Sequence, residues 1–588
     1  MIGDVRGNWR GRSHDRLLGG SSGPLGWLID RPAGTRLAGA RPAHRSHRTL
    51  ALAAIVGVLT GAAVTLFDWL AAHGLDTVLG WPVALQAAAP LLGLALAALA
   101  LRYLAGGATP MTSDEYIRNY HEPGRPLPLR AVPGRVVASL ATLGLGGAMG
   151  YEGISVYMGS AIGSGLQRRF RRRFSPDDAK LLMVAGAAAG VAAIFKAPLT
   201  GLVFALEVPY REDLARRSLL PAGIAAAAGY VTFATFEGTA PLLPVSGHAP
   251  FDLRDLGGAA VIGLVAGVCA RLTSAVFGVA KQLAGRGRPA VRIALAGAAL
   301  GALFVAGRGL GVANPTLGPG YDTLRWALEP GRSIPVLLAL AALRLAATSA
   351  TLAGGGVGGV FIPLVIQGAL LGQIAGDVLD PTNPTLFPVV GIAAFLGAGY
   401  RVPLAGVVFV AEVTGRPGFI VPGLIAAMVA QITMGPRSVA PYQAASRPGH
   451  LERRLALPVA QVVDTTAPTV PPDATVSELF WQHFVGARQR AVAVVDGARY
   501  LGMARAEDLS DLDRTTWLET TVAEVTATDA PAVGLDRRVG DALRAMDDAG
   551  TDQVAVTDGG RYVGVVTMDD IVRLDDILDR TGFGPEGH

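Results

Sequence analysis

Two stretches of this chain, 205 positions apart, carry the same broken hydrophobic pattern, and that duplication constrains the fold more than any other feature. Residues 185–208 align on 390–413 with Pro198/Pro403, Leu199/Leu404, Gly201/Gly406, Phe204/Phe409, Glu207/Glu412 and Val208/Val413 identical, and Lys196 faces Arg401. A second alignment, at an offset of 209, lays Gly150-Tyr151-Glu152-Gly153-Ile154 on Gly359-Val360-Phe361-Ile362-Pro363. It also pairs Gly159 with Gly368 and Gly163 with Gly372. Matching halves built from apolar segments interrupted by Pro and Gly predict an all-α polytopic membrane domain of two inverted repeats with broken helices. The binding site is then expected where the repeats meet. Irregular backbone at membrane depth is tolerated only where protein or a water-lined cavity satisfies it.

Composition supports a membrane body with a soluble appendage. Of 588 residues 51% are hydrophobic and 77 are Gly, and the mean hydropathy is +0.41. The single cysteine, Cys269, excludes a disulfide framework and a thiolate metal site; no metal is expected. The net charge of +5 hides an asymmetry: residues 459–588 hold 23 acidic and 11 basic residues, a balance of −12, which leaves +17 for residues 1–458. Such a pairing speaks against nucleic acid as a partner and fits a body that meets anions and the lipid bilayer, followed by a solvated module.

The expected organisation runs as follows. Residues 1–48, with nine arginines, read as a disordered basic cytoplasmic arm; the transport domain spans 49–445, and 446–458 form a linker. Two soluble α/β motifs occupy 459–518 and 519–580, and 581–588 are a tail. The first apolar run begins at Thr49, too late for a secretory signal, so no cleavage is expected. The cluster Arg168-Arg169-Phe170-Arg171-Arg172-Arg173 marks a cytoplasmic loop by the positive-inside rule. A multi-pass protein of the plasma membrane with both termini cytoplasmic follows.

Glu152 is the only charged side chain between Arg135 and Arg168 in an apolar region. An acid at membrane depth costs about 2.5–3.5 kcal/mol on insertion scales, so it normally faces a polar pathway or a partner. Glycines on both sides allow close approach to the backbone. An ion path past Glu152 is therefore expected. In the soluble part, Ala493-Val494-Val495-Asp496-Gly497 through Gly502 repeats at Ala555-Val556-Thr557-Asp558-Gly559 through Gly564, each copy reading as strand, turn, strand and helix start.

Together these residues resemble the CLC family of chloride channels and proton-coupled chloride exchangers, with a C-terminal CBS pair. Gly150-Tyr151-Glu152-Gly153-Ile154 resembles the family's Gly-Arg/Lys-Glu-Gly-Pro, and Gly359-Val360-Phe361-Ile362-Pro363 its Gly-X-Phe-X-Pro. Phe195-Lys196-Ala197-Pro198 and Tyr400-Arg401-Val402-Pro403 look like its paired helix starts, and Pro441-Tyr442 falls where the family has its pore tyrosine. The resemblance implies a homodimer with one ion path per subunit and a small anion, chloride or another, held mid-membrane at helix N-termini. The amides of Val360 and Phe361 and the hydroxyl of Tyr442 would bind it, and Glu152 would be the gate. No enzymatic activity and no required cofactor are implied.

Three departures from the family pattern bear on mechanism. Aligned on Pro110, Gly107 stands where the family has an anion-coordinating serine, so that hydroxyl is lost. Tyr151 replaces the basic residue beside the gate. Val208 stands where exchangers carry the proton-relay glutamate, which leans the reading towards a channel, with the antiporter as the alternative. Glu207 and Glu412 read as structural helix-end acids. In the CBS pair, Thr567 and Asp570 resemble a ribose- and phosphate-holding pattern, whereas the first copy keeps Asp508 but has Arg505 for the Thr, so the resemblance leaves two readings open, an adenine nucleotide site and a purely structural dimerisation module. The nine histidines contain no His-Glu-X-X-His, which disfavours a membrane metalloprotease.

Overall fold

The computed structural model describes residues 47–122, 127–174, 180–243, 245, 251–379, 383–446 and 455–581. They form two compact units, 47–446 and 455–581. Most of the expected basic arm, the linker between 446 and 455 and the tail beyond 581 lie outside the described residues. His47 and Arg48, assigned to the arm from sequence, already belong to the first helix.

Among the described residues the larger unit has sixteen α-helices in two sets of eight. The first set is α1 His47–Leu79, α2 Val83–Tyr103, α3 Ser113–His121, α4 Val132–Gly144, α5 Glu152–Arg169, α6 Leu181–Phe195, α7 Pro198–Glu207 and α8 Leu219–Glu237. The second is α9 Leu253–Ala284, α10 Pro289–Gly307, α11 Tyr321–Ala327, α12 Ile334–Gly354, α13 Phe361–Leu379, α14 Leu386–Tyr400, α15 Pro403–Thr414 and α16 Ile420–Met434. Among the described residues, eight helices are long and apolar enough to cross a membrane. The outer ones turn Leu66, Val231 and Ile432 outwards, as lipid requires. α6 and α14 are too short to span, and every residue of both is buried, so protein rather than lipid surrounds their ends.

The repeat seen in the sequence is realised as paired contacts between equivalent residues. Gly150 and Gly359 form an antiparallel bridge, each N–H donating to the other's carbonyl at 2.8 Å. Such a bridge between mates is what an approximate two-fold axis through the repeat interface produces. Further out, Glu412 at the end of α15 accepts from the amides of Leu199 (2.8 Å) and Thr200 (2.6 Å) at the start of α7. Glu207 at the end of α7 in turn accepts from Leu404 (3.2 Å) and Ala405 (2.9 Å) at the start of α15. Each carboxylate satisfies amides that a proline-led helix start leaves without intrahelical partners and meets the positive end of the helix dipole.

Lys196 and Arg401 are likewise mates with one task. Both adopt left-handed backbone, φ 52° and 56°, at the tight turns α6–α7 and α14–α15. Lys196 Nζ donates to the carbonyl of Glu237, the last residue of α8, at 2.8 Å, and Arg401 donates to the carbonyl of Gly435, which follows α16. These cations cap helix C-termini, where the dipole is negative. They are structural and stand away from the repeat centre.

The smaller unit is a six-stranded sheet ordered β1-β2-β3-β6-β5-β4, comprising β1 Thr469–Val470, β2 Ala491–Asp496, β3 Arg499–Arg505, β4 Ala532–Gly534, β5 Gln553–Asp558 and β6 Arg561–Thr567. The two Asp-Gly turns close antiparallel hairpins, with Asp496 opposite Arg499 and Asp558 opposite Arg561; Gly497 and Gly559 supply the positive φ. The hairpins join through the mates Arg499 and Arg561, and helices α17 Val539–Asp548 and α18 Met568–Thr581 belong to the second copy.

Reciprocal capping makes a test. Glu207→Ala and Glu412→Ala each leave two amides of a proline-led helix start without an acceptor. Each is expected to destabilise the protein by about 1–3 kcal/mol, to a similar extent, read as a lower thermal unfolding temperature in detergent.

Candidate functional site

Glu152 begins α5 and is 1% exposed. Its Oε1 accepts the N–H of Phe361, the first residue of α13, at 2.6 Å. A carboxylate from one repeat therefore occupies the N-terminal end of a helix from the other, which is where an anion binds without a full cation. Its Oε2 has no partner among the described residues. The glycines explain how the carboxylate fits: a Cβ on Gly150 or on Gly359 would collide with its oxygens. A Cβ on Gly153 would come within 2.6 Å of the Gly358 carbonyl and 2.7 Å of Thr112 Oγ1.

Phe361 is completely buried in an aromatic cluster. Its ring centroid lies 4.6 Å from Phe195, 5.0 Å from Phe409, 5.6 Å from Phe204 and 6.3 Å from Tyr400. These rings fix the direction of the α13 N-terminus and exclude water around it. On the other side of Glu152, the buried Tyr151 packs edge-on against Phe67 (6.1 Å) and Tyr321 (6.4 Å), so the position beside the carboxylate is aromatic rather than cationic.

The structure brings together Glu152, Val360 and Phe361, but not Gly107 or Tyr442. Gly107 lies in an exposed turn with φ +79°, and nothing stands within 4 Å of the Cβ it lacks. Alignment on Pro110 placed it at the site, whereas the helix that approaches the site starts three residues later, at Ser113. Tyr442 is 46% exposed and stacks under the Arg118 guanidinium at 5.5 Å, on the wall of a separate cavity. The buried phenol at the centre is Tyr400, 2% exposed, whose hydroxyl faces the Val360 amide and the Ser113 hydroxyl.

Sequence reasoning missed both hydroxyls. Tyr400 had a signal available, being the polar member of a pair whose mate is Phe195 in the 205-residue repeat. Ser113 had only a weak one, as the start of a short helix with Asp114 and Glu115 in its first turn. Val208 ends α7, buried and apolar, and Gln443 Nε2 donates to its carbonyl at 2.9 Å.

In the smaller unit, Thr567 and Asp570 do meet. Thr567 Oγ1 donates to Asp570 Oδ2 at 2.6 Å, and the Asp570 amide donates back to Oγ1 at 3.1 Å, across the start of α18. Asp508 takes the equivalent place in the first copy and accepts the Arg505 amide at 3.2 Å.

Because the glycines make room for the carboxylate, Gly359→Ala is expected to expel it much as removal of the acid would. Anion flux in Gly359→Ala and in Glu152→Gln should lose most of its pH dependence, measured as efflux from liposomes across a pH series. Tyr400→Phe should weaken anion binding by about 1–2 kcal/mol in calorimetric titration, while Tyr442→Phe leaves it unchanged.

Comparison with known proteins agrees with this geometry. The family described as voltage gated chloride channel matches residues 93–435, and CBS domains match 459–514 and 522–576. The chain is 29% identical to the H(+)/Cl(-) exchange transporter ClcA of Klebsiella pneumoniae subsp. pneumoniae over 52% of its own length and 66% of that protein. It is 28% identical to the ClcA of Salmonella paratyphi B over 65% of its own length and 84% of that protein. Among solved structures, a CLC-type fluoride/proton antiporter superposes with a TM-score of 0.59 at 25% identity, over 68% of this chain and 98% of that one. A eukaryotic CLC transporter gives 0.57 at 19% identity over 89% of this chain and 98% of that one, a likeness of fold. With the family match covering more than half of its length and the two CBS matches following it, this chain is a member of the voltage gated chloride channel (CLC) family that carries a C-terminal CBS pair.

Proposed function

We propose that the protein is a proton-coupled anion exchanger of the CLC family, moving chloride against protons, with Glu152 as the gate. The observation that carries this reading is the Glu152 carboxylate seated on the Phe361 amide. A carboxylate held by a helix end and one hydrogen bond can be displaced by an anion or released by protonation, which neutralises it. Anion and proton then compete for the same few ångströms, which is the basis of coupling. Amides and hydroxyls bind an anion weakly enough to let it go again.

The exchanger is favoured over the channel-like reading suggested by Val208 because relatives aligned over 66% and 84% of their lengths carry the name H(+)/Cl(-) exchange transporter. A second anion, fluoride, enters because the antiporter at 25% identity transports it and because the hydroxyls here come from Ser113 and Tyr400 instead of the family's usual positions. Opposing gradients decide both points. Purified protein in liposomes with a chloride gradient is expected to drive protons uphill. Passive chloride flux with no proton movement would leave the channel. Uphill proton movement with fluoride but not with chloride would reassign the anion.

The assembly we propose is a plasma-membrane homodimer with one path per subunit and both termini cytoplasmic. For the CBS pair we propose adenine nucleotide binding at Thr567 and Asp570. Titration of the whole protein with ATP, ADP and AMP is expected to show binding that Asp570→Ala weakens at least about tenfold.

A further inference from the structure

An exchanger of this sequence faces a chemical difficulty. Val208 carries no proton, and both oxygens of the neighbouring Glu207 accept backbone amides of α15. A second titratable group must load Glu152 from the opposite side of the membrane.

Behind the Ser113–Tyr400 pair lies a cavity of about 320 Å³ whose walls include Asp114, Glu115, Arg118, Lys281, Ser438 and Tyr442. Its side of the membrane follows from α3. That helix starts at the buried Ser113, and beyond its far end Lys180 Nζ donates to the carbonyls of Tyr120 (2.7 Å) and Glu122 (2.8 Å), while Arg168 of the arginine cluster donates to the Leu127 carbonyl. Arg118 and Tyr442 therefore stand on the arginine-cluster side, which the positive-inside rule makes cytoplasmic.

We propose that Asp114 is the cytoplasmic proton station of this protein, exchanging protons with Glu152 through the hydroxyls of Ser113 and Tyr400. The inference rests on the exchanger reading above. Asp114 is buried to 5% exposure yet lines the cavity, so water reaches its carboxylate from one side only. Its peptide neighbour Ser113 presents a hydroxyl to Tyr400, whose own hydroxyl faces the Val360 amide; the next amide, that of Phe361, holds Glu152. Asp114 lies within charge range of the same Tyr400.

The transfer balances without a co-reactant. A proton from cavity water binds Asp114 and reaches the Ser113 oxygen through a bridging water as Ser113 releases its own to Tyr400, and Tyr400 releases its own, again through water, to Glu152. Each hydroxyl is re-formed, one proton has moved and no electrons have been exchanged. Several charged groups face Asp114. Lys281 of α9 pairs with it at 2.6 Å, Arg118 stands on the same cavity wall, and the neighbouring Glu115 is drawn to Arg135 of α4 at 3.7 Å. Tyr442 closes the cavity wall.

The test uses full-length protein in liposomes, with anion efflux and proton uptake recorded together under an outward chloride gradient. In Asp114→Asn, which keeps an oxygen for Lys281, anion efflux should persist while proton uptake falls at least about tenfold; Asp114→Glu should restore it. Ser113→Ala, which leaves the ion pair intact, should lower the ratio of protons taken up to anions released, whatever it does to the anion flux itself. Coupling retained in both Asp114→Asn and Ser113→Ala, with the wild type coupled, would overturn the proton station and leave the exchanger standing. A wild type that moves chloride but no protons would remove both.

Discussion

A carboxylate on a helix N-terminus is the interaction on which the membrane unit depends, and among the described residues it links the two repeats three times. Glu207 sits on the start of α15, Glu412 on the start of α7 and Glu152 on the start of α13. The first two bind with both oxygens and cross between mates, so each repeat fastens the other. Displacing one would strip a helix start of its acceptors. Glu152 is held differently: one oxygen meets one amide of α13, the other has no partner among the described residues, and the flanking backbone is glycine. The same physics thus gives two fastenings made by both oxygens and one made by a single oxygen.

That distinction explains the short helices. A helix N-terminus serves as an anion seat at mid-membrane only if the helix stops there, and a helix that stops there leaves amides to satisfy. α7 and α15 stop beside carboxylates supplied by the protein. α13 stops beside Glu152, and the rings of Phe195, Phe204 and Phe409 fill the space around its first residue. Hydrocarbon rings, rather than further carboxylates, surround that N-terminus.

Much of this was legible from residues alone, because the duplication at offsets of 205 and 209 marks mates that do matching work: Gly150 bridged to Gly359, Glu207 and Glu412 on each other's helices, Lys196 and Arg401 at separate but matching C-termini. Periodicity and glycine placement carry that information locally. What sequence hid was the polar lining. Gly107 was assigned by alignment on Pro110, but the chain from Leu104 to His121 folds as a turn and a separate helix, so the alignment carries the register astray; Tyr442 was assigned from its place along the family's pattern. Loop register is a tertiary fact, set by where α3 docks rather than by anything in its neighbours.

The missed residues share a property that sharpens how such a chain should be read. Where the two repeats agree, the residues hold the fold. Where they disagree in chemistry, the site appears: Glu152 faces Phe361 in the 209-residue alignment, and Tyr400 faces Phe195 in the 205-residue alignment. A strictly symmetric protein would place two carboxylates or two phenyl rings about the axis, and like charges or bare hydrocarbon would bind no anion there. Asymmetry lets one half supply the displaceable carboxylate and the other supply the amide and the hydroxyl. The polar–apolar mismatches between mates are therefore the residues that give a symmetric scaffold a single, directional site.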